Sequence, residues 1–122
     1  LVPTIMQDIF TKKEIKIWSD KPKRDFIFTE DAADAVLRLL ETDYTGIVNL
    51  GTGTMDSINK ISTIVERLSG KKILSENKSV NGPMELKVDI SLIKKLTGWK
   101  PIYNLEEGLT KTYSIMKEYY KI

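Results

Sequence analysis

A tyrosine and a lysine four positions apart are the residues of this 122-residue sequence whose spacing could support acid–base chemistry. If Tyr113 and Lys117 shared a helix face, the ammonium would favour the phenolate form of the tyrosine, which could act as a base. Tyr113, however, falls on the apolar stripe of its predicted helix together with Leu109 and Met116. We therefore predict that Tyr113 is a core aromatic, and we assign no catalytic residue.

Two glycines after the apolar run 46–50 match part of the dinucleotide-binding pattern G-x-G-x-x-G. In that pattern the third glycine lets the helix pack close to the strand. Gly51 and Gly53 fit the first two positions, but the sixth position is Asp56, whose carboxylate would repel a pyrophosphate at a helix N-terminus. We predict a structural turn here and no cofactor-binding residue.

The amino-acid composition excludes several kinds of chemistry. The absence of cysteine and histidine excludes disulfides, thiol nucleophiles, zinc ligand sets and histidine-based acid–base catalysis. The 19 basic and 17 acidic residues give a net charge of +2, which does not favour nucleic acid as a partner. No apolar run approaches the roughly 20 residues that cross a bilayer. We expect no metal site, no nucleic-acid or membrane partner, and a cytoplasmic location.

Hydrophobic periodicity predicts a mixed α/β chain with about five helices and several short strands. Half-buried strands are predicted at 14–18 and 24–29, and a brief one at 72–74. Helices are predicted over 3–10, 29–40 and 58–69, from Asp89 or Ser91 to Gly98, and from Asn104 towards the end of the chain. The predicted helix caps are Thr29, Ser57 and Asn104, the last with Glu107 in a capping box.

The run 46–50 is predicted to be a buried parallel strand, which needs neighbouring strands that this sequence hardly supplies. The sequence also starts at Leu1 rather than at a methionine. We therefore expect a piece of a longer protein. In the helix 29–40 the residues expected to be buried are Ala33, Val36, Leu37 and Leu40.

Six segments, taken in order, resemble the carboxyl-terminal part of the extended short-chain dehydrogenases, the NAD-dependent sugar-nucleotide epimerases and dehydratases. These segments are VPTIMQDIF, IKIW, RDFIFTEDAADAV, GIVNLGTGTMDSINKIS, DISLIKKLTGWKP and NLEEGLTKT. The resemblance implies that 1–122 is the carboxyl-terminal substrate-binding region of a Rossmann-type enzyme, in which 46–69 would complete a missing nucleotide-binding sheet. It also implies that the missing amino-terminal half binds NAD and carries the catalytic Y-x-x-x-K.

The resemblance further implies a pocket for a nucleoside-diphosphate-sugar. Arg24 matches the family arginine whose planar fork suits a diphosphate; the alternative is an ion pair with Asp25 or Asp31. The other implied substrate-binding residues are Phe26, Ile17 and Trp18 beside the nucleotide base, Asn81 and Glu85 near the ribose, and Lys87 in place of an arginine that this loop lacks.

From this resemblance we expect the nucleoside-diphosphate-sugar-binding portion of an NAD-dependent sugar epimerase or dehydratase, inactive alone, whose parent protein is a homodimer. Two alternatives remain open. The chain is then either a non-catalytic nucleotide-binding or assembly module, or part of a superfamily reductase with a non-nucleotide substrate. Binding of UDP to the chain, and its loss in Arg24→Ala, would separate these interpretations.

Overall fold

The computed structural model describes residues 1–121 and has the predicted mixed α/β architecture, with five helices and short strands. The helices are α1 (Val2–Thr11), α2 (Thr29–Leu40), α3 (Ile58–Ser69), α4 (Ser91–Thr97) and α5 (Leu105–Tyr119). The strands are β1 (Ile15–Ile17), β2 (Lys23–Arg24), β3 (Asp56–Ser57), β4 (Ile73–Ser75) and β5 (Glu85–Leu86). No helix among the described residues is long and apolar enough to span a bilayer.

The strands form two small sheets. In one, β1 pairs in parallel with β4, so that Ile15 lies opposite Ile73. In the other, β2 is the central strand, antiparallel to β3 and parallel to β5. This register places Arg24 between Asp56 on one side and Leu86 on the other. Arg24 therefore sits in the middle of a three-stranded sheet rather than on an open strand edge.

The main core lies between α1, α3, α5 and β1. Tyr113 packs against this core and stacks on Phe10 with 5.4 Å between ring centroids, as its place on the apolar stripe predicted. Burial of such side chains supplies most of the folding free energy of a small domain. The buried members of this core are Ile5, Met6, Ile9, Ile15, Ile17, Ile61, Ile64, Val65 and Leu109.

Local signals set the ends of α3 and α5. Ser57 caps α3 by accepting the N–H of Lys60, and Gly70 ends it in a left-handed conformation with φ of 71°. Asn104 and Glu107 form the predicted capping box of α5. The prediction for Thr29 is wrong, because Thr29 is already helical and Phe28 is the N-cap of α2.

The prediction of which residues α2 buries is also wrong. The helix buries Asp31 and Ala35, and Ala35 packs into a second core with Ile90, Ile93 and Trp99. The apolar face expected inside is turned outwards, because α4 covers the opposite side of the helix. Its exposed fractions are 48% for Val36, 63% for Leu37 and 76% for Leu40.

The run 46–50 does not form the predicted strand. No strand of residues 1–121 hydrogen-bonds to it, since the two sheets are built from β1 to β5 alone. Val48 and Leu50 pack against the second core, whereas Ile47 is 90% exposed. The segment therefore packs two of its apolar side chains inwards and exposes a third.

A carboxylate that joins α3 to β4 makes the first sheet sensitive to acid. Glu66 accepts the backbone N–H of Ile73 at 2.7 Å, and this hydrogen bond, with help from Lys72, holds the pKa of Glu66 below its ordinary value of 4.5. Because the pKa of Glu66 is lower in the folded than in the unfolded protein, the ionised carboxylate stabilises the fold above pH 4.5. This contribution is lost as the pH falls through the pKa of Glu66 in the folded protein.

We therefore expect Glu66→Gln to be destabilising at pH 7 and progressively less destabilising as the pH falls below 4.5. The measurement is urea unfolding of both proteins at several pH values, followed by circular dichroism. The difference in unfolding free energy should shrink steadily below pH 4.5. A difference that stays constant from pH 7 to pH 3 would contradict the assigned role of this carboxylate.

Candidate functional site

The anion that the glycine turn holds is a side chain of this protein. Asp25 Oδ1 accepts the backbone N–H and the hydroxyl of Thr52, each at 2.7 Å. Its other oxygen, Oδ2, accepts the N–H of Gly53 at 2.8 Å. A carboxylate with three such donors has its lone pairs largely satisfied. The turn therefore closes on Asp25 and not on a pyrophosphate.

The structure explains why glycine occupies both positions of this turn. A Cβ at Gly51 would lie 2.7 Å from Cβ of Val88 and 2.8 Å from Oδ2 of Asp25, closer than side chains can approach. Gly53 has φ of 75°, a conformation that favours glycine. The turn thus needs close backbone approach at one position and a left-handed residue at the other.

The other aspartate considered from the sequence as a partner of Arg24 is also occupied. Asp31, which is buried in the first turn of α2, accepts the N–H groups of Ile102 at 2.9 Å and Tyr103 at 3.0 Å. This contact ties α2 to the segment that leads into α5. Neither Asp25 nor Asp31 forms the ion pair with Arg24 that was the alternative drawn from the sequence.

The guanidinium of Arg24 is held by backbone carbonyls. Its Nη1 group donates to the carbonyl oxygens of Lys23 at 2.8 Å and Met84 at 3.2 Å. Within residues 1–121 the Nε and Nη2 groups make no hydrogen bond, and Arg24 has no salt bridge. Three N–H donors therefore remain on Nε and Nη2 of a half-buried guanidinium, and two of them lie along one edge.

The indole of Trp18 lies at the carboxyl end of β1 and is 59% exposed. Its Nε1 group donates to the carbonyl of Ser79 at 2.7 Å, and the ammonium of Lys78 lies 4.7 Å from the ring centroid. The side chain of Ile17 is buried in the main core, so that Ile17 can face a ligand through its backbone alone. The exposed ring has its polar atom already satisfied and offers apolar surface for stacking.

The remaining predicted residues lie in three different settings. Glu85 pairs with Lys23 at 2.8 Å across the β2–β5 contact, which brings it beside Arg24. Asn81 and Lys87 are exposed, Asn81 two positions after Ser79 and Lys87 directly after β5. Phe26 is half-buried against the main core.

Two cavities lie beside Phe26. One, of about 1130 Å³, lies between the glycine turn and the start of α5, with Thr52 and Lys111 in its wall. The other, of about 630 Å³, is lined by apolar side chains that include Leu105 and Met116. Phe26 thus connects the sheet that carries Arg24 with the surface of α5.

Three charged or phenolic groups beside the two cavities satisfy one another: Tyr103 and Lys111 line the larger cavity, and Glu30 lines the smaller one. The ammonium of Lys111 donates to Glu30 and to the hydroxyl oxygen of Tyr103, both at 2.9 Å, and Tyr103 donates to Glu30 at 2.7 Å. The bond from Lys111, followed by that from Tyr103, lowers the pKa of Glu30, and the bonds to Tyr103 and Glu30 raise that of Lys111. This trio links α2 to α5 and has no free group for catalysis.

Known proteins with these features were found by sequence. Residues 1–51 match the model of the NAD dependent epimerase/dehydratase family. The chain is 40% identical over 115 residues to the UDP-glucuronate 4-epimerase of Thermodesulfobacterium geofontis (strain OPF15), covering 90% of this chain and 35% of the relative. It is 35% identical over 106 residues to a probable GDP-L-fucose synthase 1 of Oryza sativa subsp. japonica, covering 82% of this chain and 31% of the relative.

Solved structures with the same fold were also found. The UDP-glucuronic acid 4-epimerase of Bacillus cereus, in complex with UDP-glucuronic acid and NAD, is 27% identical with a TM-score of 0.82, covering 97% of this chain and 40% of that chain. The UDP-glucose 4-epimerase of Thermotoga maritima, with UDP-glucose, has a TM-score of 0.86 at 22% identity, covering 97% of this chain and 39% of that chain.

The fold is therefore that of the Rossmann-type epimerases, in agreement with the class predicted from the ordered motifs. Within this class the chain is similar to the NAD-dependent epimerase/dehydratase family, whose model matches residues 1–51. The chain spans about a third of the length of these curated relatives, with 35% and 31% of them covered.

Proposed function

We propose that this chain is the nucleoside-diphosphate-sugar-binding portion of an NAD-dependent sugar epimerase or dehydratase. The observation that carries the proposal is the free edge of Arg24, formed by Nε and Nη2. A guanidinium with such an edge can donate two parallel hydrogen bonds to a phosphate group. The Bacillus cereus relative in complex with UDP-glucuronic acid and NAD supports the same class of ligand.

The other predicted residues take roles around this contact. The exposed ring of Trp18 offers a stacking surface for a nucleobase, beside the backbone of Ile17. Phe26 adds an aromatic surface near Arg24. In this proposal Asn81 and Glu85 contact the ribose, and Lys87 provides a point charge for the second phosphate.

NAD belongs to another part of the parent protein in this proposal. Residues 51–53 do not fit its pyrophosphate, because the carboxylate of Asp25 fills their turn. We assign the cofactor and the reacting groups to an amino-terminal Rossmann half. The chain alone then has no turnover, and the parent protein is a cytoplasmic homodimer.

The segment 46–69 completes the nucleotide-binding sheet of that amino-terminal half in our proposal. The exposed side chain of Ile47 and the outer face of α2 support it, since both present apolar surface to the outside. We call Val36, Leu37, Leu40 and Ile47 the docking face. A parallel sheet needs cover on its faces, and an apolar helix face such as that of α2 can provide it.

The test of the ligand class is a calorimetric titration of the chain with UDP. We expect the wild-type chain to bind, and Arg24→Ala to bind about 10- to 100-fold more weakly, since a hydrogen bond to a charged group contributes about 1.5–3 kcal/mol. Arg24→Lys should recover part of the affinity, because it restores charge but not the planar fork. Arg38→Ala is the matched control, since Arg38 is occupied by Asp34 on the surface of α2.

The same titration separates the alternatives. UDP binding that is equal in Arg24→Ala and the wild type would move the site away from β2. If the wild-type chain bound no UDP, the proposal would fail in favour of an assembly module or of a reductase portion with a non-nucleotide substrate.

A further inference from the structure

One short segment holds both predicted ends of the nucleotide site through backbone carbonyls. Ser79 accepts the indole N–H of Trp18 at 2.7 Å. Five residues later, Met84 accepts Nη1 of Arg24 at 3.2 Å and the backbone N–H of Lys23 at 2.8 Å. We call residues 79–84 the strap. The strap is the element that contacts the exposed aromatic ring and the free guanidinium together.

The bend of the strap depends on Gly82. Its φ is +109°, a conformation that side chains other than glycine rarely adopt. No atom lies within 4 Å of a Cβ placed there, so the requirement for glycine is conformational and not steric. Pro83 follows and restricts its own φ, which leaves the chain little freedom between the two carbonyls.

We propose that the strap is a positioning element that fixes the ring of Trp18 and the guanidinium of Arg24 at one separation. This inference rests on the proposed function and adds a selection by ligand length. A nucleoside diphosphate presents its base and its phosphates at a defined spacing, so a fixed ring and a fixed guanidinium favour it over uridine or inorganic pyrophosphate alone.

The satisfied groups support a positioning role. The Ser79 carbonyl fixes the indole through its only N–H donor, which leaves the ring face opposite the Lys78 ammonium for stacking. The Met84 carbonyl binds the Nη1 group and leaves the Nε–Nη2 edge unused. The strap thus restricts each side chain through an atom that a base or a phosphate does not need.

The experiment compares Gly82→Ala with Gly70→Ala. Gly70 is the matched control, because it also has positive φ, +71°, and no atom within 4 Å of a Cβ, but it ends α3 outside the strap. Both variants strain the backbone. We expect Gly82→Ala to bind UDP about tenfold more weakly, the equivalent of about one hydrogen bond, while Gly70→Ala keeps the wild-type affinity.

A second measurement follows Trp18 directly. Trp99 is fully buried, so quenching of tryptophan fluorescence by acrylamide reports mainly on Trp18. Gly82→Ala should change this quenching, and Gly70→Ala should not. Thermal denaturation of both variants shows whether a general loss of stability accounts for the difference.

These experiments distinguish a failure of the strap inference from a failure of the proposed function. If the wild-type chain binds UDP and both variants match it in affinity and quenching, the strap inference is overturned. If the wild-type chain binds no UDP, the proposed function fails, and the quenching decides whether the strap positions Trp18. Equal quenching in all three proteins then overturns the positioning role as well.

Discussion

The substitution Asp25→Ala should lower the free energy of unfolding by about 3 kcal/mol, a large part of the total stability of a domain of this size. The substitution removes three hydrogen bonds and leaves the N–H groups of Thr52 and Gly53 without their acceptor. Because Gly51 is packed against the same carboxylate and against Val88, the turn also loses its close packing.

Urea unfolding at pH 7 measures this effect. Asp25→Asn should fall between wild type and alanine, since an amide keeps the shape but presents one oxygen instead of two. Asp34→Ala is the control. Asp34 forms an exposed pair with Arg38, so its loss should change the unfolding free energy by less than about 1 kcal/mol. Equal unfolding midpoints for Asp25→Ala and Asp34→Ala would show that the turn does not depend on its carboxylate.

Local sequence signals predicted the elements whose limits are set by neighbouring residues. Ser57, Gly70 and the pair Asn104 and Glu107 act within one helical turn, so they could be identified without knowledge of the fold. The helix α2 differs. Its periodicity correctly indicates an apolar face, but periodicity does not say what covers that face.

No local sequence pattern predicts the contacts of the candidate site. Trp18 meets Ser79 across 61 positions, and Arg24 meets Met84 across 60. Asp25 and Asp31, the ion-pair partners considered for Arg24 from the sequence, are instead occupied by groups 27 and 71 positions away. The residue types proposed to lie near a nucleotide come from the family resemblance and stay a prediction, whereas the contacts of Lys78 and of the strap carbonyls required coordinates.

The second large effect concerns the docking face, which should decide whether this chain joins a working enzyme. Leu37, Leu40 and Ile47 are 63%, 76% and 90% exposed. Burial of each such side chain contributes about 1.5–3 kcal/mol. A chain with this surface should bind the portion of the Thermodesulfobacterium geofontis relative that it does not match, when the two are co-expressed.

With NAD and UDP-glucuronic acid, the co-expressed pair should show turnover, and either part alone should show none. The double variant Leu37→Asp/Ile47→Asp should abolish co-purification and turnover, because two charges would be buried against an apolar sheet. Tyr119→Asp is the control, since Tyr119 is 79% exposed at the end of α5, away from α2. Turnover by this chain alone, or a complex that withstands both aspartates, would show that the docking face does not meet a nucleotide-binding half.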